Sequence, residues 1–354
     1  MSQVTTQTEH SLASPELVIK LENGQTLQVE SNEAVDADEI PIIDVAGIYS
    51  DKLEDRQAVA EKVREAAHRI GFFYVVNHGF DPKLTDGVFD QAKRFFKLPM
   101  EKKLEVDTNL VPKEYVGYHA MASYSKGSRK HNDLSEAFNF AYSAEQDPLN
   151  PDTDAGVSIW PTDLPGFKEG MYAYHRPMLQ FARKMTQIFA LALHLPETYF
   201  DEWTQRPEAG MRILHYPEQE ASVDDQNGIG AHTDFECFTI VNQDMSGGLE
   251  VLSKSGRWIR AKPVPNSFVI NIADCFMRQT NDFFVSTVHR VINKSGHERY
   301  SIPFFYGLDR RMPMLPIPGC VTDERPAKYK VITTGEYYLW RAQRSKQGES
   351  VEQI

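Results

Sequence analysis

The sequence predicts an α+β chain that is mainly β, a double-stranded β-helix (jelly roll) core with supporting helices. Three observations lead there. After Glu208 come short β-rich runs at 211–215, 237–243, 249–252, 257–261, 267–272, 284–292 and 299–306, parted by Gly, Pro, Asn and Ser turns. Amphipathic helical periodicity is concentrated ahead of those runs, with one more helix at 334–346. The chain's 354 residues are also enough to bury a large core.

Residues 1–15 read as disordered, and Leu17 to Val29 as two alternating runs around Asn23-Gly24, a hairpin signal. Leu53 to Ile70 is a helix with Val59, Val63, Ala66 and Ile70 on one stripe and Gly71 at its end. Phe72 to Asn77 is a short buried strand, and residues 83–97 form a second amphipathic helix. Asn109 to Pro161 is loop-rich. The longest helical signal is 168–194, where Tyr174, Met178, Phe181, Met185, Ile188 and Ala192 recur at core spacing. Pro177 inside it marks a start or a kink. Gly247-Gly248 and Ser255-Gly256 are the clearest turns of the β region. The expected organisation is an extension (1–37), a helical and mixed region packing on the core (38–205), the jelly-roll core (206–325) and a C-terminal helix and tail (326–354).

Apolar residues make up 41% and charged residues 25%, ordinary for a soluble globular protein. A net charge of −12 argues against nucleic acid as a partner, because phosphate binding needs a basic surface. The basic stretch Lys126 to His131 reads as a solvated loop. Cys237, Cys275 and Cys320 are widely spaced, which suits a reducing compartment better than a disulfide framework. The first 35 residues lack the basic and apolar segments of a secretory signal, and no stretch approaches a membrane span. The expectation is a cytoplasmic protein, monomer or homodimer, without nucleic-acid or membrane partners.

Chemistry is concentrated in two places. His232 and Asp234 stand in Ala-His-Thr-Asp-Phe (231–235), and His289 follows 57 positions later in Ser-Thr-Val-His-Arg-Val (286–291). On a strand, alternate side chains share a face, so His232 and Asp234 are expected to project together. Joined by His289, they make two imidazoles and one carboxylate, the facial triad that leaves coordination positions open on Fe(II). Ten residues further on, Arg299 and Ser301 share a face in a segment that reads as buried. A buried guanidinium needs a partner, and a carboxylate ligand satisfies both residues. No Gly-x-Ser-x-Gly elbow or phosphate loop competes with this reading.

These residues resemble the 2-oxoglutarate/Fe(II)-dependent dioxygenase superfamily, in its isopenicillin-N-synthase-like branch. Ile-Pro-Ile-Ile-Asp (40–44), Gly-Phe-Phe-Tyr-Val-Val-Asn-His-Gly (71–79), Arg-Ile-Leu-His-Tyr-Pro (212–217) and Gly-Gly-Leu (247–249) extend the likeness. Phe-Phe-Lys-Leu-Pro-Met-Glu-Lys-Lys-Leu-Glu-Val (95–106) is similar to microbial members such as thymine dioxygenase. The resemblance implies iron on His232, Asp234 and His289, with Arg299, Ser301 and Tyr216 around 2-oxoglutarate. It also implies O2 as co-substrate, ascorbate as a stimulant, and release of succinate and CO2. Two departures stand out: Leu214 where plant members carry Asn, and Ala273 ahead of Asp274 where Gly is usual.

Three functions remain open at this level. They are a 2-oxoglutarate-dependent oxygenase, an Fe(II) oxidase that needs no 2-oxoglutarate, and a non-catalytic ligand-binding relative. The substrate pocket is expected to use Tyr118, Phe235, Cys237, Met277 and Phe305, the aromatic and sulfur-bearing neighbours of the motifs. That lining fits a small secondary metabolite oxidised by hydroxylation, desaturation or rearrangement, with a free pyrimidine base as the competing substrate.

Overall fold

A computed structural model describes residues 17–20, 26–112, 114–121, 133–149, 156–219 and 227–347. The Asn23-Gly24 turn, the first fifteen residues and the basic stretch Lys126 to His131 lie outside these. The hairpin arms are described: β1 (Leu17–Lys20) pairs antiparallel with β2 (Thr26–Val29).

Among the described residues, eight strands form the larger sheet. They are β3 (Ile42–Asp44), β4 (Phe72–Val76), β5 (Gly117–His119), β6 (Glu136–Phe140), β7 (Met211–Tyr216), β9 (Phe238–Gln243), β12 (Phe268–Ile272) and β14 (Arg299–Tyr306). Their order is β3-β4-β12-β9-β14-β7-β6-β5, antiparallel throughout except for β3 beside β4. The smaller sheet is β11 (Trp258–Arg260), β10 (Leu249–Leu252), β13 (His289–Val291) and β8 (Ile229–His232), in that order. Four strands of the larger sheet thus come from the stretch read as helical and mixed. β5 and β6 escaped the sequence reading because they are short and sit among loop residues.

Alternation assigns each face of the larger sheet. Phe73, Val75, Ile240, Ile270, Ile302 and Phe304 pack into one cluster with the helices. Phe72, Tyr74, Leu214, Tyr216 and Val269 pack with Leu249, Val251 and Val291 of the smaller sheet. Two sheets sharing an apolar interior in this way make the jelly roll.

Three helices back the outer face: α1 (Leu53–Arg69), α2 (Pro82–Phe96) and α4 (Phe167–Ala192). The α1 helix buries the expected Val59, Val63 and Ala66. It closes on Gly71, whose φ of +70 suits glycine and whose N–H reaches the Ala66 carbonyl at 2.9 Å. A Cβ there would lie 2.0 Å from the Val285 carbonyl oxygen. Asp81 caps α2 through the Lys83 N–H, with Pro82 in the first turn. The α4 helix runs through Pro177, buries Tyr174, Met178, Phe181, Met185, Ile188 and Ala192, and is the main prop.

The described residues also include the shorter α3 (Met100–Leu104) and α5 (Asp274–Gln279) and the closing α6 (Thr334–Gln347). The run 284–292 yields only the three residues of β13. Ahead of it the Val285 N–H turns to the Ala67 carbonyl of α1, and among the described residues only the Val288 carbonyl reaches a strand, accepting from Leu252 of β10 at 2.8 Å. Among the described residues no helix is long and apolar enough to cross a membrane.

Candidate active site

β8 and β13 pair antiparallel, with His232 opposite His289 and ring centroids 4.3 Å apart. Asp234 is not on the strand. β8 ends at His232, and the carboxylate comes from the turn that follows, so strand alternation does not explain its direction. Tertiary bonds do. The Asp274 N–H donates to the Asp234 carbonyl at 3.1 Å, and Thr239 and Asn271 donate to its Oδ2 at 2.5 and 2.8 Å.

Oδ1 is left facing the imidazoles, 3.6 Å from His232 Nε2 and 3.7 Å from His289 Nε2. Each ring is oriented from behind: His232 Nδ1 lies 2.8 Å from the Gly230 carbonyl and His289 Nδ1 3.1 Å from that of Thr287. Both Nε2 atoms are thereby aimed inward, and a ring proton carried on Nδ1 toward those carbonyls is the tautomer metal ligation needs. One ligand atom from each residue lies within 4.8 Å of the others. Burial works to raise Asp234, but the adjoining His289 and His232 and the bonds from Thr239 and Asn271 hold its carboxyl below the usual value.

A second cluster lies on β14 and its neighbours. Arg299 is 1% exposed and faces Tyr216 across the β14–β7 pair, its guanidinium 4.7 Å from the ring centre. Its Nε donates to the Gly247 carbonyl at 2.5 Å and its Nη2 to Gln243 at 3.1 Å, while Nη1 has no partner among the described residues. A buried guanidinium nitrogen without an acceptor is costly, and it fits an anionic ligand. Ser301 Oγ lies 3.5 Å from the Tyr216 hydroxyl. Leu214, opposite Ser301, adds only apolar surface to this end.

Both clusters line one cavity of about 790 Å³. Phe235 and Phe305 are in its wall; Tyr118, Cys237 and Met277 are not. Tyr118 is buried among helix-facing residues and donates to Glu136 at 2.6 Å, in a hub with Lys103 and His215. Cys237 is 1% exposed inside the core, where burial pushes its thiol up. Met277 is carried on α5, clear of the wall. Away from the sheets the wall turns polar, with Glu208, Glu236, Arg310 and Tyr338. Polar and charged side chains thus join the aromatic lining expected from the sequence. Burial, then the charges of Asp234 and Glu208, push the Glu236 carboxyl up to about 8.

Sequence reasoning passed over Asn271, Thr239 and Gln243, which hold Asp234 and Arg299. A signal existed for Asn271, a lone amide in the otherwise apolar Phe-Val-Ile-Asn-Ile strand.

Comparison with known proteins agrees with this geometry. Residues 40–163 match the model for "non-haem dioxygenase in morphine synthesis N-terminal", and residues 207–308 that of the 2OG-Fe(II) oxygenase superfamily. The 2-oxoglutarate-Fe(II) type oxidoreductase ppzC of Metarhizium majus is 38% identical over 312 residues, 82% of this chain and 83% of its own. The 2-oxoglutarate-Fe(II) type oxidoreductase hxnY of Emericella nidulans is 36% identical over 302 residues, 83% of this chain and 86% of its own. Among solved structures, a full-length Neurospora crassa protein in complex with alpha-KG and thymine superposes with a TM-score of 0.78 at 28% identity, covering 89% of this chain and 99% of that one.

The chain belongs to the 2OG-Fe(II) oxygenase superfamily. It is a 2-oxoglutarate-dependent non-haem Fe(II) dioxygenase, the first of the three functions left open by the sequence, with O2 as co-substrate.

Proposed function

We propose that His232, Asp234 and His289 hold the iron and that Arg299, Ser301 and Tyr216 receive the far carboxylate of 2-oxoglutarate. One observation carries this reading: two imidazole nitrogens and a carboxylate oxygen converge in the same cavity as a buried guanidinium nitrogen that lacks an acceptor among the described residues. The donor set suits Fe(II) with three positions left open. Bound there, iron and 2-oxoglutarate activate O2 to oxidise a C–H bond, with succinate and CO2 as products.

The chain's own side chains bind, orient and exclude water. The carbonyls of Gly230 and Thr287 fix the imidazole tautomers, and Thr239 and Asn271 keep Asp234 Oδ1 toward the metal. Arg299 supplies a planar fork that Lys lacks. To Phe235 and Phe305, both in the cavity wall, we assign the apolar surface that keeps water from the substrate.

The substrate we assign is a free small molecule, hydroxylated, desaturated or rearranged in secondary metabolism by a cytoplasmic enzyme without nucleic-acid or membrane partners, monomeric or homodimeric. The mixed cavity wall supports a compound with both an aromatic or aliphatic face and polar groups. A pyrimidine base is the second reading, favoured by the likeness to the Neurospora crassa protein in its complex with thymine. The test is succinate release from labelled 2-oxoglutarate with Fe(II) and ascorbate, comparing thymine with a panel of polar small metabolites. Release stimulated by a panel compound and not by thymine is the expected result. Stimulation by thymine alone would replace the first reading with the second.

A further inference from the structure

Two of the three metal-facing residues sit on paired strands, but Asp234 sits on a turn with no ladder to hold it. A side chain from the far end of the chain grips that turn. Arg341 of α6 is 1% exposed and pairs with the Asp274 carboxylate. Its Nη2 donates to the Thr233 carbonyl at 3.2 Å and to the Thr233 hydroxyl at 3.3 Å. Its guanidinium lies 4.4 Å from the centre of the Phe235 ring, in the cavity wall. Asp274 completes the grip: it accepts from Tyr337 at 2.9 Å and Thr233 at 3.3 Å, while its N–H holds the Asp234 carbonyl. All three turn residues are thereby held, Thr233 and Phe235 by Arg341 and Asp234 by the residue Arg341 pairs with.

We propose that Arg341 is a positioning residue for the metal centre, acting through Thr233, Phe235 and Asp274 to aim Asp234. The proposal rests on the triad reading above. A guanidinium suits the task because one planar group reaches a carboxylate, a carbonyl and a ring face together, which a lysine ammonium does not. Groups that orient a metal ligand from behind typically change metal affinity about 10–100-fold when removed. The closing helix thus contributes to the iron site without supplying a ligand.

The test is a calorimetric titration of the full chain with Co(II), without 2-oxoglutarate, alongside the melting temperature of each metal-free protein. Arg341→Lys keeps the charge opposite Asp274 but loses the fork. The double variant Asp274→Asn/Arg341→Gln removes both charges together, so neither is left buried and unpaired. Leu339→Gly, at an exposed α6 position, weakens the helix without touching the grip.

The first two are expected to bind Co(II) roughly tenfold more weakly than wild type, while Leu339→Gly binds normally at a similarly lowered melting temperature. His289→Ala separates the two readings. If it loses Co(II) while both grip variants bind like wild type, the role of Arg341 is wrong and the triad stands. If His289→Ala itself binds like wild type, the triad reading fails and takes this proposal with it.

Discussion

His232 and His289 are cross-strand partners, the last residue of β8 against the first of β13, with ring centroids 4.3 Å apart. A register slip of one residue would turn one imidazole to the opposite face, so strand pairing itself sets the metal-facing geometry. Asp234 has no such guarantee and depends on hydrogen bonds from three other segments.

His232→Ala, Asp234→Ala and His289→Ala are each expected to abolish Fe(II)-dependent succinate release. The melting temperature of the metal-free protein should change little in the two histidine variants, whose rings face the cavity. Asn271→Ala frees Asp234 Oδ2 from one donor and is expected to weaken metal affinity roughly tenfold. Metal titration checks both, and wild-type affinity in all three alanine variants would remove the assignment.

Arg299→Lys is expected to raise the KM for 2-oxoglutarate roughly tenfold or more, since a two-point contact of about 1.5–3 kcal/mol becomes a single one. Ser301→Ala should act in the same direction but less. Steady-state kinetics in 2-oxoglutarate at saturating iron decide it, and an unchanged KM in both variants counts against the carboxylate site.

Gly228 leaves room for the Tyr216 ring, because a Cβ at this glycine would lie 2.6 Å from Tyr216 Cδ1. Gly228→Ala is expected to displace the ring from beneath Arg299 and raise the same KM, with little effect on metal affinity. A normal KM would indicate that Tyr216 takes no part in holding the co-substrate.

Glu136 tests the outer face. Burial raises its pKa, but bonds from His215, Lys103 and Tyr118 outweigh that and hold it below the ordinary 4.5. A depressed folded value means that this stabilisation is complete above about pH 4.5 and fades as pH falls through the lower folded value. Glu136→Gln is expected to flatten that acid arm and to cost about 3 kcal/mol at neutral pH by leaving Lys103 buried without its partner. Denaturant melts from about pH 3 to 7 check it, and an acid arm identical to wild type would refute it.

The sequence by itself determined the elements whose pattern is local. The stripe of α1, the Gly71 stop, the long α4 and the β-rich runs after Glu208 are each written in neighbouring residues, so periodicity and turn chemistry suffice. Residue type and spacing likewise singled out His232, Asp234, His289, Arg299 and Ser301 as candidates. Only the tertiary structure decided what depends on residues far apart in the chain. It drew β3 to β6 into the larger sheet and turned Tyr118 toward Glu136 and away from the cavity. It also added Glu208, Glu236 and Arg310 to the wall, and brought Asn271 and Asp274 to Asp234. The physical reason is that a buried polar group takes whichever partner the packed fold brings within reach, and that choice leaves no periodic trace in the sequence.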